Sequence, residues 1–318
     1  MLKVEIKSFA YEKELILKDI RFQLDRGQHM AVLGESGCGK STLLHIIYGL
    51  LHLENGTISW DGTELLGPNF NIVPGESFIK LVAQEYNVMP FTTVSENVAE
   101  HLSRLDPVAD KKRVRELLEV VDMIPFTDTM VKHLSGGQKQ RVALSKALAK
   151  EPKLLLLDEP FSHIDTFRKN SLRRKLFSYL KENNISCITA THDAEEALAF
   201  SDTLLILKNG TTEVIGSPEE IYNSVSSVYQ AGFFDEVNIL PPELFSGDNG
   251  SKELLLFPHQ LKITSEKTAL EVTVVKNYFK GGAYLVEGAW QDQRVFFNNS
   301  EKINPGKKIC LVRNHLFL

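Results

Sequence analysis

Only three cysteines occur in the chain, Cys38, Cys187 and Cys310, and they are far apart and odd in number. This excludes a disulfide framework, and no two of them have the spacing of a zinc site, so the pattern suits a reducing compartment. Positive charge is not in excess either. Against 36 Lys and Arg stand 41 Asp and Glu, a formal net charge of -5, which gives no electrostatic reason to expect nucleic acid as a partner. No apolar run approaches the roughly 20 residues of a membrane span, so action at a membrane would need another chain to cross it. The opening residues Met1-Leu2-Lys3-Val4-Glu5-Ile6 alternate apolar and charged like a strand and lack the apolar core of a secretory signal. Internal repeats and low-complexity tracts are missing as well. What remains, 318 residues at 43% hydrophobic and 24% charged, fits a soluble globular protein with one ordinary domain and one small one.

Apolar patterning divides the chain. Residues 3–9 and 16–24 read as strands, and the apolar run at 30–33 leads straight into glycines. Leu43, Leu44, Ile46, Ile47 and Leu50 then recur at helical spacing, so a glycine loop is bracketed by a strand and a helix. Residues 85–149 read mostly as helices, with Val114, Leu117, Leu118 and Val121 on one face. Two short apolar runs, at 154–157 and 186–190, are separated by a charged amphipathic stretch at 166–180, the rhythm of a parallel sheet with a crossover helix. Beyond Ile239 come Pro241-Pro242, the turn cluster Gly247-Asp248-Asn249-Gly250-Ser251, and alternating segments such as Leu270-Glu271-Val272-Thr273-Val274. The expectation is an α/β domain over 1–235 with a helical subdomain at about 85–150, followed by an all-β domain over 236–318.

Gly34-Glu35-Ser36-Gly37-Cys38-Gly39-Lys40-Ser41 fits G-x-x-x-x-G-K-[ST], in which small residues let backbone N–H groups close around nucleotide phosphates. Lys40 is placed to reach the β- and γ-phosphates and Ser41 to hold Mg²⁺, with Thr42 next in the same helical turn. The helix N-terminus adds its own attraction for anions. Leu154-Leu155-Leu156-Leu157-Asp158-Glu159 is an apolar strand ending in two carboxylates. Alone, such a pair is more often a helix cap or a surface feature. Beside a phosphate loop it reads as chemistry, with Asp158 on the Mg²⁺ side and Glu159 taking a proton from the water that attacks the γ-phosphate.

Leu134-Ser135-Gly136-Gly137-Gln138-Lys139-Gln140-Arg141 resembles the signature sequence of ABC transporter ATPases almost letter for letter. Physically, Ser135 and the two glycines open a helix whose first N–H groups can face a phosphate. The resemblance implies an α/β P-loop NTPase core of ABC type with an inserted helical subdomain, and ATP with Mg²⁺ as its ligands. It also implies a head-to-tail homodimer in which Ser135, Gly136, Gly137 and Gln138 touch the nucleotide held by the twin chain. In that family Tyr11 would correspond to the ring that stacks on adenine. Gln84, in Val82-Ala83-Gln84-Glu85-Tyr86, would sense Mg²⁺ and the attacking water, and His192, in Ala190-Thr191-His192-Asp193, would touch the γ-phosphate and support Glu159. The loop exchanged across the dimer departs from the family's Ser-Ala-Leu-Asp and reads Ser162-His163-Ile164-Asp165. Where relatives carry an arginine-rich turn, residues 69–79 instead include Asn71-Ile72-Val73-Pro74-Gly75-Glu76, for which the sequence offers no account.

The tail indicates a branch. Gly216-Ser217-Pro218-Glu219-Glu220-Ile221-Tyr222, followed by Phe233 and Asn238-Ile239-Leu240, resembles the ending of importer ATPases for ferric iron, polyamines, sulfate or sugars. These continue into a small OB-like (TOBE) β domain, and Leu256-Phe257-Pro258-His259-Gln260-Leu261 is similar to that domain's Arg-Pro-Glu-Asp motif with only the proline kept. The resemblance therefore implies an ATP-hydrolysing importer subunit, cytoplasmic and peripheral on the inner face of the plasma membrane. Its partners are transmembrane permease subunits and, indirectly, a solute-binding protein, with iron or polyamine as the first solute class. The alternatives are an exporter subunit, a soluble ABC ATPase acting on nucleic acid or ribosomes, and a module that holds ATP without hydrolysing it.

Overall fold

A computed structural model describes residues 1–103, 105–245 and 253–314 of the chain. The turn cluster at Gly247-Asp248-Asn249-Gly250-Ser251 lies outside the described residues. The chain forms two compact units, Met1–Pro218 and Glu219–Leu318.

In the first unit, β1 (Leu2–Tyr11) and β2 (Glu14–Leu24) form a hairpin. β1 buries Leu2, Val4 and Ile6 at alternate positions, as expected of a sheet with one face on a core. β3 (His29–Leu33) is buried along its whole length and runs through the glycine loop into α1 (Lys40–Tyr48). β4 (Asn55–Trp60) and β5 (Thr63–Glu64) complete a four-stranded antiparallel sheet of order β2-β1-β4-β5. β6 (Ile79–Val82) starts the second half of the other sheet.

Three helices follow: α2 (Val94–Ala99), α3 (Pro107–Val120) and α4 (Gly136–Leu148). Thr93 and Glu96 cap α2 reciprocally. Fully buried Asn97 donates to the carbonyls of Met89 and Thr93 and to the Thr92 hydroxyl, and accepts from the Met89 N–H at 2.7 Å. One amide thus satisfies the backbone of a loop that has no ladder of its own. Then come β7 (Leu154–Asp158), α5 (Thr166–Glu182), β8 (Ser186–Thr191), α6 (Ala194–Phe200), β9 (Thr203–Lys208) and β10 (Thr211–Gly216). The six-stranded sheet has the order β10-β9-β3-β8-β7-β6, parallel except for the β9–β10 hairpin. β7 and β8 are buried at every position, which is why both read as continuous apolar runs rather than alternating ones.

In the second unit, α7 (Pro218–Asn223) and α8 (Val228–Ala231) precede β11 (Asn238–Leu240) and β12 (Leu254–Leu256). β13 (Leu261–Thr264), β14 (Glu271–Phe279), β15 (Tyr284–Trp290), β16 (Gln293–Asn299) and β17 (Lys308–Arg313) form an antiparallel five-stranded sheet of order β13-β17-β14-β15-β16. Val272, Val286, Val295 and Phe297 fill its core. Buried Asn238 exchanges hydrogen bonds with Phe296, 2.8 and 2.7 Å, which pins β11 to β16. The unit begins well before residue 236, where the sequence places the boundary. The cause is aromatic: Tyr222 stacks on Phe257 at 5.0 Å and 16°, and Phe234 meets the same ring edge-on at 6.5 Å. Residues that look like the last turns of the α/β domain therefore pack with the β strands.

His29, at the start of β3, is 2% exposed and packs on the Phe177 ring at 5.5 Å. Burial, aided by the Lys181 ammonium, pushes its pKa down to about 4 against the opposing pull of Asp202 and two carbonyls. The folded state therefore holds the neutral ring while the unfolded chain protonates near pH 6.5, so stability present above that pH is lost as pH falls toward 4. Urea denaturation is expected to show a loss of about 3 kcal/mol between pH 7 and pH 4 that is absent from His29→Phe. An equal slope in both proteins would assign the acid sensitivity elsewhere.

Candidate functional site

Leu33 ends β3, and the chain turns at once into the loop from Gly34 to Gly39. Lys40 is 6% exposed, and its ammonium curls back to the carbonyls of Gly34 and Glu35 at 2.7 and 2.8 Å. The loop is thereby closed on itself around a buried cation. α1 starts behind Gly39 with no side-chain cap and no acidic residue in its first turn. Its first N–H groups are left for an outside acceptor, the condition under which a helix start takes a phosphate. Glu35, Ser36 and Gly37 are exposed, Cys38 is buried, and Ser41 and Thr42 are half-buried. Among the described cysteines Cys38, Cys187 and Cys310 all are free thiols.

Support for the loop comes from a residue that sequence reading passed over. Gly210, at the β9–β10 turn, donates its N–H to the Cys38 carbonyl at 3.1 Å and accepts from the Lys18 N–H at 2.8 Å. A Cβ at Gly210 would run into the Ile16 carbonyl, so glycine is needed for this approach. Tyr11 stands at the end of the same β1–β2 hairpin, 45% exposed, with its ring edge-on to Phe9 at 5.2 Å. Leu17 of that hairpin reaches Gly39. Tyr11 and the glycine loop are thus carried by touching elements.

Parallel register brings the carboxylates to the same edge. Leu33 pairs with Thr191, and Asp158 with Ala190. Asp158 is 4% exposed, and one of its oxygens, Oδ1, is buried without a hydrogen-bond partner. Burial pushes its pKa up, opposed first by a hydrogen bond from Ser41. A buried carboxylate oxygen beside a serine hydroxyl is a donor set that suits a cation. One carboxylate and one hydroxyl suit Mg²⁺, which takes few protein ligands when phosphate oxygens supply others, and among the described residues no cluster of three or more His, Cys, Asp or Glu offers a richer cage. The residues present fit that ion.

Glu159 follows in a left-handed conformation, φ 47°, unusual outside glycine. Its N–H is held by the Ala190 carbonyl at 2.9 Å, and its own carbonyl accepts Gln140 Nε2 at 2.9 Å. The carboxylate then projects to His192, whose Nδ1 lies 3.2 Å from Oε1. A carboxylate and an imidazole at this distance, next to a phosphate loop, can orient a water and receive its proton. Gln84 is exposed in the bend just after β6.

Among the described residues, no hydrogen bond joins Ser135, Gly136, Gly137 or Gln138 to the glycine loop. Ser135 and Gln138 cap α4 reciprocally, Gln138 N–H to Ser135 Oγ at 3.3 Å and Ser135 N–H to Gln138 Oε1 at 2.8 Å. A Cβ at Gly136 would lie 3.7 Å from the Tyr86 hydroxyl, and Gly137 lies so close to the His163 carbonyl that a Cβ would come within 2.5 Å of it. Bare glycine at 136 leaves the helix start open on its exposed side, and at 137 it makes room for the His163 carbonyl.

Beneath both loops runs a buried ion network. Arg173, 1% exposed, donates to Asp193 Oδ2 at 2.6 Å and Glu196 Oε2 at 2.7 Å, and its guanidinium lies over the Phe161 ring at 5.3 Å. Lys169 adds a bond to Asp193 at 2.7 Å. Burial works against the Asp193 charge, but the bonds from Lys169 and Arg173 outweigh it and hold this carboxyl well below the usual range. Burial pushes Glu196 up, against the pull of Arg173. One cation thus ties the turn after Glu159 to the turn after His192. The sequence carried a weak signal for it, since Arg173 shares a helix face with Phe177 and Leu180, both buried.

Comparison with known proteins agrees with this geometry. A family model described as ABC transporter matches residues 17–162. The sulfate/thiosulfate import ATP-binding protein CysA of Gloeobacter violaceus is 41% identical over 251 residues, 77% of this chain and 72% of the relative. The Fe(3+) ions import ATP-binding protein FbpC of Escherichia coli K12 is 32% identical over 324 residues, 95% of this chain and 92% of that protein. Among solved structures, cbiO1 of Clostridium perfringens, part of the ABC transporter complex cbiONQ, aligns with a TM-score of 0.63 at 30% identity, covering 70% of this chain and 90% of its own. A dimeric ATP-binding cassette in a post-hydrolysis state with ADP and Pi aligns with a TM-score of 0.60 at 27% identity over 69% of this chain and 99% of that one.

Replacing Arg173 by Met would leave the buried Glu196 carboxylate without its cation and Asp193 with Lys169 alone. Urea denaturation is expected to register a loss of about 3–5 kcal/mol for Arg173→Met, with partial recovery in Arg173→Met/Glu196→Met. No recovery in the double variant would mean that the arginine stabilises by packing alone.

Proposed function

This chain belongs to the ABC transporter ATP-binding family, and from that premise we propose that it hydrolyses ATP as the engine of an importer, bound to permease subunits at the inner face of the plasma membrane. The observation that carries the reading is the Glu159–His192 pair, 3.2 Å apart, at the ends of β7 and β8, the two strands next to β3 in the sheet on the side away from β9. Tyr11 stacks on adenine. The loop from Gly34 to Gly39, the start of α1, Lys40 and Thr42 bind the phosphates. When bound, Mg²⁺ would supply neutralisation of the nucleotide's phosphate charge. Ser41, Asp158 and, from its exposed bend, Gln84 are the residues that hold it. Glu159 receives the proton of the attacking water as its oxygen bonds to the γ-phosphorus and the bond to ADP breaks, while His192 steadies Glu159 and the γ-phosphate.

The open face at Ser135, Gly136, Gly137 and Gln138 takes the γ-phosphate held by a second copy, so two chains enclose two nucleotides head to tail. Intact ATP holds the pair closed. Hydrolysis removes that differential affinity, the pair opens, and the permease follows. Ferric iron is the first solute proposal, because the iron-import relatives match through the C-terminal unit as well. Sulfate is the second, on the higher identity of the sulfate relative.

Glu159→Gln is expected to bind ATP but release phosphate at least about 100-fold more slowly, with ATP trapping a dimer visible by size-exclusion chromatography. Turnover near the wild-type rate would remove Glu159 from its role. Purification from native membranes in mild detergent is expected to bring along a permease and a solute-binding protein. Recovery of no membrane protein, with ATPase activity intact, would move the assignment to a soluble ABC ATPase.

A further inference from the structure

His163 sits in the turn between β7 and α5 and has no part in the steps above. Several contacts nevertheless converge on it. Its Nδ1 lies 3.0 Å from Ser162 Oγ. Its ring meets the Tyr86 ring edge-on, with centroids 5.8 Å apart at 82°. Its carbonyl closes on Gly137 at the start of α4. Tyr86 is two residues beyond Gln84, so the imidazole stands between the Gln84 loop, the signature and the Glu159 turn.

Ser162 makes the last connection. Its hydroxyl donates to the Glu159 carbonyl at 3.1 Å, where Gln140 Nε2 at 2.9 Å and the Ser162 N–H at 3.3 Å also donate. Three donors crowd an oxygen with two lone pairs, and the hydroxyl has a single proton to give. With a lone pair on Nδ1, His163 offers that proton a second acceptor. With a hydrogen on Nδ1, it donates to Ser162 and turns the hydroxyl onto the Glu159 carbonyl. The ring therefore sets how tightly the left-handed Glu159 residue is held, while Tyr86 sets where the ring lies.

We propose that His163 is a positioning residue that couples the Gln84 loop to the Glu159 turn, so that both reach working geometry together. The inference rests on the reading of the chain as an ATPase. A histidine at this place supplies both an aromatic edge and a hydrogen-bonding nitrogen, and neither an aliphatic residue nor a serine supplies both.

Steady-state phosphate release by the full chain, read beside urea midpoints, tests it. His163→Ala is expected to lower kcat about tenfold with KM for ATP within about twofold and the urea midpoint unchanged, because the contacts act on geometry at the reacting centre. His163→Asn, whose Oδ1 falls near the place of Nδ1, is expected to regain most of that loss. Tyr86→Leu combined with His163→Ala is expected to cost less than the product of the two single effects. Wild-type kcat in His163→Ala, no recovery in His163→Asn, or a kcat loss matched by a lower urea midpoint would each overturn the proposal. If the wild-type chain itself releases no phosphate, the ATPase reading fails and takes this inference with it.

Discussion

When buried parallel strands lie side by side in register, their C-terminal ends reach one edge of the sheet together, and whatever follows each strand is forced into a common space. β3, β8 and β7 are neighbours in this order, with Leu33 opposite Thr191 and Asp158 opposite Ala190. The glycine loop, His192 and the Asp158-Glu159 pair are thereby delivered to one place from three distant parts of the chain. Burial at every position, mostly of apolar side chains, keeps these strands from slipping. Shifting one of them by a residue would move its whole buried set and would carry the loop away from the carboxylates.

A set of polar groups at a strand edge needs a floor, and here the floor is charged. Arg173 is nearly inaccessible and is matched by two carboxylates, with Lys169 sharing one of them. Such a network does not raise stability much over a well-packed apolar core, yet removing one partner is expensive. Its value is directional. An apolar floor would pack the turns after β7 and β8 in many ways, whereas a guanidinium with two fixed acceptors permits few.

Gln140 joins α4 to the same system through the Glu159 carbonyl, and the His163 carbonyl closes on Gly137 from the other side. The signature helix therefore hangs from the strand end that carries the carboxylate. In the proposed dimer, a nucleotide docked on Ser135 and Gly136 would meet a helix that Gln140 links directly to the Glu159 carbonyl. A composite site shared by two chains requires such a link if closure and hydrolysis are to be coupled.

Much of this was legible without coordinates. The contiguous motifs act through local backbone geometry, so their residues are neighbours in sequence and their chemistry can be read letter by letter. The buried strands declared themselves as apolar runs, and the α/β core with helices followed by an antiparallel β unit is the architecture those patterns indicate. Other features depend on partners brought together only by folding. Arg173 is one basic residue among Arg168, Lys169, Arg174 and Lys175, and only its helix face, shared with Phe177 and Leu180, sets it apart; the two carboxylates it meets come from a different segment. Gly210 looks like an ordinary hairpin glycine until its N–H is seen on the Cys38 carbonyl. The unit boundary before Tyr222 was set by an aromatic stack with Phe257, remote in sequence. Sequence alone determined which chemistry the chain can carry, because that is written in short runs. Tertiary structure decided how those runs are held to one another, because burial and pairing across the sheet belong to no single segment.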